Sequence, residues 1–352
     1  MMTLTRLTNS VDMLDLPPID VIFGQSPAMS AARGKLERVA KTTVPVLLQG
    51  ESGTGKEVFA KLLHVYSNRS KHAWVKVICP AIPNSLIESE LFGYEKGAFT
   101  GAYASKPGRI ENANRGTLFL DEVGSLNLDA QAKLLQVLQD GTFMRVGGQE
   151  ARSVDTRLVC AANGNLRQQT EEGSFRLDLF FRINAVTIDL PPLRHRATDV
   201  PILIDYFLDL HSRAFSVKPK PLSYEVKCMM QRYNWPGNIR QLENMIRSYV
   251  LIADEEALAA DLMSVGTAAV VPEIDLVRPI SLKRIIKAAT KDLEKEIILK
   301  VLQSNGWSRQ KTAKWLNISY RSLLYKLQDS QISAFSRRPS KAETLENVSE
   351  QS

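Results

Sequence analysis

The amino-acid sequence predicts an α/β domain built on a parallel sheet, followed by a small helical subdomain and a C-terminal all-α unit. In residues 20–190, short apolar runs alternate with segments of helical period, which is typical of a parallel sheet covered by helices. Residues 191–262 and 281–330 show only the helical period. At 352 residues the chain is long enough for two or three domains.

The remaining segments lack a period. Residues 263–280 contain two prolines and predict a linker between the helical subdomain and the last unit. Residues 1–19 are expected to form a short polar tail, and residues 331–352 a disordered tail.

Individual elements follow from the same patterns. Five apolar runs predict the strands of the sheet, at residues 44–48, 74–78, 116–120, 158–162 and 185–190. Three helices are predicted for the helical subdomain, at residues 200–215, 224–233 and 238–252.

Composition and charge limit the class of protein. Hydrophobic residues make up 44% and charged residues 24%, as in ordinary globular proteins, and no apolar run is long enough to cross a membrane. Cys79, Cys160 and Cys228 are far apart in sequence, which suits a reducing cytoplasm and suggests no metal site. A net charge of +7 allows a polyanionic partner but does not require one.

A glycine-rich loop stands between the first predicted strand and a helix-period segment. Its residues are Gly50, Glu51, Ser52, Gly53, Thr54, Gly55, Lys56 and Glu57. In this context the pattern G-x-x-x-x-G-K predicts a phosphate-binding loop, with Lys56 directed at the β- and γ-phosphates of a nucleotide such as ATP. The alternative is an ordinary turn between strand and helix. Position 57 is Glu where the general motif has Ser or Thr for Mg²⁺, so another residue must hold the metal.

Two acidic residues end the third predicted strand. Ligands of nucleotide-binding sheets lie at the carboxyl ends of the strands, so Asp121 is expected to hold Mg²⁺ and Glu122 to act as the general base. Without the glycine loop, such acids would more often be helix caps. Phosphoryl transfer also needs positive charge near the γ-phosphate, and Arg176 and Arg182 are candidates that could otherwise be surface arginines.

The C-terminal unit has the spacing of a helix-turn-helix. Ser308 and Ser319 are predicted to cap two short helices, and Asn317 to make the turn between them. The alternative is a helical packing or dimerisation module. The candidate DNA-binding residues are Tyr320, Arg321 and Ser322 at base edges and Arg309, Lys311 and Lys326 at phosphates, together with the capping residue Ser319.

Five motifs occur in this chain in the order found in one protein family. They lie at residues 50–57, 90–93, 97–102, 116–122 and 235–244. The chain resembles NtrC-type AAA+ bacterial enhancer-binding proteins, which activate RNA polymerase carrying sigma-54. The resemblance covers roughly residues 22–327, and it implies an AAA+ P-loop ATPase with a helical lid subdomain and a C-terminal Fis-type helix-turn-helix domain. In that family Glu follows the loop lysine, as Glu57 does here.

The resemblance implies further roles. Arg176 and Arg182 match arginine fingers that reach the ATP of a neighbouring subunit, which requires assembly into a ring, usually a hexamer. Asn163 matches the sensor of the γ-phosphate, and Arg240 matches a second sensor in the lid. Ile22, Phe23 and Gly24 match the segment that packs on adenine.

The fragment most specific to the family is the loop of Gly97, Ala98, Phe99, Thr100, Gly101 and Ala102. From chemistry alone, Phe99 would be a buried anchor and the glycines turn residues. The resemblance implies instead that Phe99 and Thr100 contact sigma-54 when ATP is bound. Residues 143–148 resemble a companion loop that supports this one.

One position departs from the family pattern. Residue 78 is Ile, whereas relatives usually have an Asn that holds the catalytic glutamate away from water. Because Ile offers no hydrogen bond, Glu122 is expected to lack this restraint, and coupling between target binding and hydrolysis is expected to differ.

The expected function is that of a cytoplasmic transcription activator. It would bind enhancer DNA with an inverted repeat, form dimers without ATP and a hexameric ring with it, and remodel the closed complex of sigma-54 RNA polymerase. One alternative is a DNA-binding regulator with impaired ATPase in a mixed ring with a paired activator; another is an AAA+ remodeller of other proteins. Relatives usually carry an N-terminal regulatory domain, which the sequence lacks, so a trans-acting regulatory protein is expected.

Overall fold

The computed structural model describes residues 16–218, 220–266, 298, 301–302 and 308–329. The chain divides into two units, residues 1–267 and 268–352, which are described separately. The predicted tails at residues 1–19 and 331–352 lie largely or wholly outside the described residues, and so does most of the predicted linker.

The first unit is built on a five-stranded parallel sheet. Numbered in chain order among the nine strands that the structure describes, its members are β1 (Val46–Gln49), β2 (Trp74–Ile78), β5 (Thr117–Asp121), β8 (Arg157–Ala162) and β9 (Val186–Asp189), in the order β2-β5-β8-β1-β9. The five predicted strands are all present, with bounds that differ by at most two residues. Strand β1 begins after Pro45, which has no N–H to donate to a neighbouring strand.

Two short antiparallel pairs lie outside this sheet. Strand β3 (Gly93–Tyr94) pairs with β4 (Lys106–Pro107), and β6 (Thr142–Met144) pairs with β7 (Ala151–Ser153). The helices of the sheet-containing part are α1 (Ile19–Phe23), α2 (Pro27–Val39), α3 (Lys56–Val65), α4 (Ile87–Phe92), α5 (Arg109–Asn112), α6 (Leu128–Asp140), α7 (Leu166–Glu171) and α8 (Leu177–Ile183).

Helices cover both faces of the sheet, so its central strands are mostly apolar and buried. Leu47 and Leu120 belong to the core on one face, with α4, α6 and α8, whereas Leu48 and Phe119 belong to the core on the other face, with α1, α2 and α3. Neighbouring residues of one strand thus contribute to different cores, as the alternation of side chains requires. This explains why the strands appear in the sequence as continuous apolar runs.

The helical subdomain contains α9 (Val200–Phe215), α10 (Tyr224–Arg232), α11 (Asn238–Ile252) and α12 (Glu255–Gly266). The bounds predicted for α9 and α11 are confirmed, and Trp235 lies fully buried between α10 and α11 and donates to the Met230 carbonyl over 2.8 Å. The prediction that a linker begins at residue 263 is corrected, because α12 continues to Gly266. The segment before Gly266 is rich in good helix formers and contains no helix breaker.

Asp199, just before α9, connects this subdomain by hydrogen bonds to the segment that follows α1. Its carboxylate accepts hydrogen bonds from the Gln25 and Ser26 amides and from the Ser26 hydroxyl, over 2.7–2.9 Å. Gly24 has φ +56°, and a Cβ on it would lie 2.3 Å from the Asp199 carboxyl carbon. Gly24 is therefore needed for the two elements to approach this closely.

In the second unit, the structure describes α13 (Arg309–Trp315) and α14 (Tyr320–Asp329). Ala313, Leu323 and Leu327 pack with Ile298 and Leu302 in a small core. Asn317 has φ +52° in the turn, and Ser319 caps α14 through a 3.1 Å bond to the Ser322 amide. Ser308 precedes α13 as predicted, but its side chain makes no capping hydrogen bond. No helix among the described residues is both long and apolar enough to cross a membrane.

Candidate nucleotide-binding site

The glycine loop connects β1 to α3 at the carboxyl edge of the sheet. Gly53 and Gly55 have φ of +77° and +100°, which favours glycine at both positions. A Cβ on Gly53 would lie 2.4 Å from the Gly237 carbonyl oxygen, so the loop and the helical subdomain are in close contact. Gly53 therefore allows the backbone conformation of the turn and, because it has no Cβ, also leaves room for the backbone of Gly237.

Lys56 begins α3, and its ammonium is held inside the loop. It donates to the carbonyls of Gly50 and Glu51 over 2.8 and 2.9 Å and to the Asn163 side-chain oxygen. Burial lowers the pKa of Lys56, while Asp121 and Glu122 oppose this shift. Since an ammonium has three protons, a phosphate can bind Lys56 only by replacing some of these contacts.

The predicted acids lie where expected, at the end of β5. Burial raises the pKa of Asp121, opposed by Lys56 and Lys76. Glu122 has φ +56°, and one of its carboxylate oxygens accepts a hydrogen bond from the Asn163 amide. The side chain at residue 78 makes no such bond, as predicted, but Glu122 is held by Asn163 instead.

Glu57 is paired with cations. Its carboxylate lies 2.7 Å from the Lys76 ammonium and 3.6 Å from that of Lys61. Burial alone would raise the pKa of Glu57, but the two lysines bring it below its usual range. Asp121 therefore offers the oxygen ligand that suits Mg²⁺ best in this set. The described residues contain no group of three or more metal-ligating side chains.

These residues line a cavity of about 300 Å³ between the sheet and the helical subdomain. Residues 52–57 form its floor, and Asp121, Glu122 and Asn163 form one wall. The opposite wall combines predicted residues, Ile22 and Arg240, with residues that sequence reasoning missed: Pro17, Val21, Arg196, Leu203, Tyr206, Phe207, Ile239 and Glu243. Its apolar part is suited to a flat aromatic ring such as a nucleobase.

Four predicted binding residues do not line the cavity. Phe23 is buried behind it, with its ring 5.5 Å from that of Phe59, and Gly24 packs against Asp199. Gly50 contributes only its carbonyl to Lys56, and Glu51 points to the helical subdomain. Phe23 and Gly24 thus do not line the cavity, whereas their neighbour Ile22 does.

The helical subdomain contacts the glycine loop through side chains that the sequence analysis did not identify. Arg194 makes a bidentate ion pair with Glu51, over 2.6 and 2.9 Å, which holds the pKa of Glu51 at about 2. The Asn238 amide donates to the Ser52 carbonyl over 2.9 Å, and buried Arg196 donates to the Thr54 carbonyl. The motif at residues 235–244 was the available signal for Asn238, whereas nothing local marked Arg194 or Arg196.

Arg240 is the one residue of that motif with a predicted role, and it does reach the loop. Its guanidinium donates to the Ser52 hydroxyl over 3.2 Å and lines the cavity.

Arg176 and Arg182 lie away from this cavity. Arg176 is paired with Asp178, at 2.7 Å, and Arg182 donates to the Leu138 carbonyl over 2.8 Å. Neither lines the nucleotide cavity of its own chain. Within one subunit they supply no charge to a phosphate there.

The loop at residues 97–102 joins β3 to β4 on the surface. Its turn is closed by a 2.8 Å bond from the Gly97 amide to the Ala102 carbonyl. Phe99 is 42% exposed, so it is not a buried anchor, and its ring stacks edge-on against Tyr94 at 4.9 Å. Thr100 beside it is exposed as well.

The predicted companion loop supports this one. A Cβ on Gly147 would lie 2.6 Å from the Ala98 Cβ, and the Glu95 amide donates to the Val146 carbonyl over 3.0 Å. Below them, Arg145 bridges Glu95 and Glu111, with contacts of 3.1 and 2.7 Å. The base of the loop is therefore fixed while its tip remains accessible.

The candidate DNA-binding residues of the second unit lie on its surface. Arg309, Lys311, Ser319, Tyr320 and Arg321 are exposed, and Ser322 and Lys326 are half-buried. Lys314, Trp315 and Tyr325 are exposed in the same helices and were not singled out from the sequence.

A glycine loop, a buried lysine and acids at strand ends, covered by a helical subdomain, define a P-loop nucleotide-binding protein of the AAA+ class. Three family models match this chain: the sigma-54 interaction domain over residues 22–189, the AAA+ ATPase lid domain over residues 194–269, and the Fis family of bacterial regulatory proteins over residues 290–329. The chain belongs to the sigma-54 interaction domain family of NtrC-type regulators, which confirms the predicted fold class.

Similar proteins agree with this assignment. The chain is 48% identical to the DNA-binding transcriptional regulator NtrC of Escherichia coli strain K12 over 71% of this chain and 53% of NtrC, so it spans about half the length of that relative. It is 40% identical to the regulatory protein AtoC of the same strain, over 88% of this chain and 67% of AtoC. The crystal structure of NtrX from Brucella abortus in complex with ADP is similar, with 31% identity and a TM-score of 0.63 over 88% of this chain and 68% of NtrX.

Proposed function

We propose that this protein is a sigma-54-dependent transcription activator that uses ATP hydrolysis to remodel the closed complex of sigma-54 RNA polymerase. The observation that carries the proposal is the presence, in one folded unit, of a nucleotide cavity with a complete set of P-loop groups and of an exposed aromatic loop fixed at its base. A structural protein would need neither. The ADP found in the NtrX structure supports a nucleotide as the ligand of this cavity.

The residues of the cavity have separate roles in phosphoryl transfer. Lys56 and the loop amides bind the β- and γ-phosphates, and Arg240 approaches from the helical subdomain. Mg²⁺, held by Asp121, would neutralise developing charge on the phosphate oxygens. Glu122 polarises the attacking water, and Asn163 lies beside it as the sensor of the γ-phosphate. Ile22 and the apolar wall receive the adenine.

Assembly completes the site. Arg176 and Arg182 do not line the cavity of their own chain, and they act on the ATP of a neighbouring subunit in an active form that is a hexameric ring. Without ATP the chain is a dimer. In the ring, Phe99 and Thr100, with Gly97, Ala98, Gly101 and Ala102 as their flexible support, contact sigma-54.

The second unit brings the ring to its promoter. The exposed residues Tyr320 and Arg321 read base edges in enhancer DNA, and Arg309 and Lys311 contact phosphates. Dimeric binding predicts an inverted repeat. The protein acts in the cytoplasm, and a trans-acting protein controls it.

The test is ATP hydrolysis as a function of protein concentration. We expect specific activity to rise steeply with concentration in the parent chain and to stay low in Arg176→Ala, because each site needs an arginine from its neighbour. Arg167→Ala, an exposed arginine on α7, is the matched control. Open-complex formation with sigma-54 polymerase on a promoter with an upstream site is the second assay.

A regulator with impaired ATPase, acting in a mixed ring with a paired activator, is the competing function. It is favoured by Ile78, which cannot hold Glu122. Negligible turnover at every concentration, restored by adding the paired activator, would establish this alternative and overturn the main proposal.

A further inference from the structure

One carboxylate lines the nucleotide cavity from the side of the helical subdomain. Among the described residues of this subdomain that line the cavity, Glu243 of α11 is the one acid, and Leu203, Phe207 and Ile239 are apolar. The Glu243 side chain is 40% exposed, so a ligand in the cavity can reach it. The roles assigned above in phosphoryl transfer leave this carboxylate unused.

The protein itself supplies Glu243 with no hydrogen-bond donor. The structure describes no hydrogen bond to its carboxylate and no ion pair between it and an arginine or a lysine. Of the two arginines near it on α11, Arg240 donates to the Ser52 hydroxyl over 3.2 Å. Arg247 donates to the Asn244 side-chain oxygen over 2.8 Å. The carboxylate is therefore available to a ligand.

His211 of α9 is the one basic side chain described within 4 Å of the Glu243 carboxylate. Its Nε2 lies 3.8 Å away, beyond hydrogen-bond distance, and has no hydrogen-bond partner among the described residues. The ring is stacked between Phe207 and Phe215, with centroids 6.2 and 6.1 Å apart. Burial lowers the pKa of His211 against the effect of Glu243, so the ring is neutral at pH 7 and leaves the carboxylate charge unbalanced.

The position of Glu243 indicates which part of a nucleotide it meets. Arg240 marks the phosphate end of the cavity, because it contacts the glycine loop at Ser52. Glu243 lies three residues further along α11, which is about 4.5 Å along the helix axis. Its neighbour His211 stacks on Phe207, a residue of the apolar wall. In a nucleotide, the ribose is the part that connects the phosphates to the base, as Glu243 lies between the phosphate end and that wall.

The chemistry of a carboxylate fits a sugar better than a phosphate. An ionised carboxylate only accepts hydrogen bonds, so its ligand must donate. Phosphate oxygens are acceptors and carry the same sign of charge, whereas a ribose presents two hydroxyl donors. Dinucleotide-binding folds use an acidic side chain in this way, to bind a ribose hydroxyl.

We propose that Glu243 binds the ribose hydroxyls of the nucleotide and thereby makes this site select ribonucleotides over nucleotides whose sugar lacks a hydroxyl. Glu243 is then a specificity-determining residue on the helical subdomain, contributed by the same helix as Arg240. The inference rests on the proposed ATPase function and adds to it the recognition of the sugar.

The test is calorimetric titration of the full chain with ADP, 2′-deoxy-ADP and 3′-deoxy-ADP. The variants are Glu243→Ala, which removes the acceptor, and Glu243→Gln, which keeps an acceptor oxygen without the charge. Glu225→Ala is the matched control, because Glu225 is an exposed glutamate of the same subdomain that does not line the cavity. Purine riboside diphosphate, which lacks the amine of adenine, tests the other donor of the nucleotide.

We expect the parent and Glu225→Ala to bind at least one deoxy analogue about tenfold more weakly than ADP, since a hydrogen bond to a charged group is lost. In Glu243→Gln this penalty should fall to about threefold, because a neutral acceptor bonds more weakly, and in Glu243→Ala it should vanish. A purely structural role of Glu243 would instead weaken the binding of all these nucleotides together and leave their ratios unchanged.

Three results would overturn the inference alone. They are equal affinities of the parent for ADP and both deoxy analogues, a penalty that persists in Glu243→Ala, and a Glu243-dependent loss seen with purine riboside diphosphate but with neither deoxy analogue. Failure of the parent to bind ADP at all would overturn the proposed function together with the inference. The two kinds of failure are therefore distinguishable in one set of titrations.

Discussion

The nucleotide cavity and the loop at residues 97–102 are built on opposite principles. In the cavity, the functional groups are held by several partners each: Lys56 makes three hydrogen bonds, and Glu51 is paired with Arg194 and Asn238. In the loop, the tip is exposed and its contacts are concentrated at the base. The cavity thus holds its charged groups in fixed positions, whereas the loop leaves an aromatic side chain exposed.

This difference predicts that substitutions in the two regions separate nucleotide binding from target contact. A change in the cavity should affect every later step, because all of them depend on bound ATP. A change at the loop tip should leave the cavity intact and affect only the contact with the partner.

The largest effect is expected from Lys56→Ala. Removing the ammonium eliminates charge-assisted hydrogen bonds to two phosphates, each contributing about 1.5–3 kcal/mol, so ATP affinity should fall by a factor on the order of 100 or more. Hydrolysis and open-complex formation should be lost with it. Lys35→Ala, at an exposed lysine of α2, is the control and should bind ATP like the parent in calorimetric titration. Normal ATP affinity in Lys56→Ala would show that the cavity is not the nucleotide site.

The second effect is expected from Phe99→Ala. Because Phe99 is exposed and its ring packs against Tyr94, its loss should leave nucleotide affinity unchanged within about twofold while open complexes fail to form. The measurements are ADP titration and promoter melting with sigma-54 polymerase. Tyr103→Ala, an exposed aromatic four residues along, is the matched control. If both variants melted the promoter normally, the loop would have no role in target contact.

The nucleotide cavity and the loop at residues 97–102 also differ in how much of each could be predicted from the sequence. The glycine loop, Asp121 and Glu122 were predictable because each lies within or directly after a strand that is buried on both faces, and such strands are continuous apolar runs. Their roles in this chain remain predictions, and so do the domain boundaries other than the start of the linker. Phe99 was identified through the family resemblance, whereas residue chemistry alone placed it in the core.

The residues that were missed share one property. Arg194, Arg196 and Asn238 contact the glycine loop from more than 140 residues away in sequence, across the junction with the helical subdomain. No local period or spacing encodes such contacts, because they depend on how two packed layers meet. Phe23 was placed at the cavity for the related reason that sequence cannot show which of two neighbouring apolar side chains points inward.

The stability of the first unit should depend on pH through His64, which lies on α3. Its ring is buried and lies 2.9 Å from the Thr117 hydroxyl, and burial lowers its pKa to about 4. Between that value and the ordinary pKa near 6.5, the unfolded chain binds a proton that the folded chain excludes. The contribution of His64 to the free energy of unfolding should therefore be fully present above pH 6.5. The free energy of unfolding should fall by about 3 kcal/mol as the pH drops to 4.

The measurement is urea unfolding of the parent and of His64→Gln at pH 7 and pH 4.5, with the pH dependence of the variant subtracted to remove the carboxylates. His72→Gln, on the exposed segment before β2, is the control and should keep the pH dependence of the parent. An identical pH dependence in His64→Gln and the parent would contradict the burial of a neutral His64.

The smallest effect on stability is expected from removing the exposed ion pair between the helical subdomain and the glycine loop. Arg194 and Glu51 form a bidentate pair, but their side chains are 37% and 41% exposed, so solvent screens the attraction and Arg194→Ala should cost at most about 1 kcal/mol of unfolding free energy. Asn238, which is fully buried and bonded to Ser52, Glu51 and Leu193, should cost more as Asn238→Ala, about 1–3 kcal/mol, because buried groups lose their partners. Urea unfolding of the two variants gives the order. A larger loss in Arg194→Ala than in Asn238→Ala would mean that the ion pair, and not the buried amide, holds the subdomain on the loop.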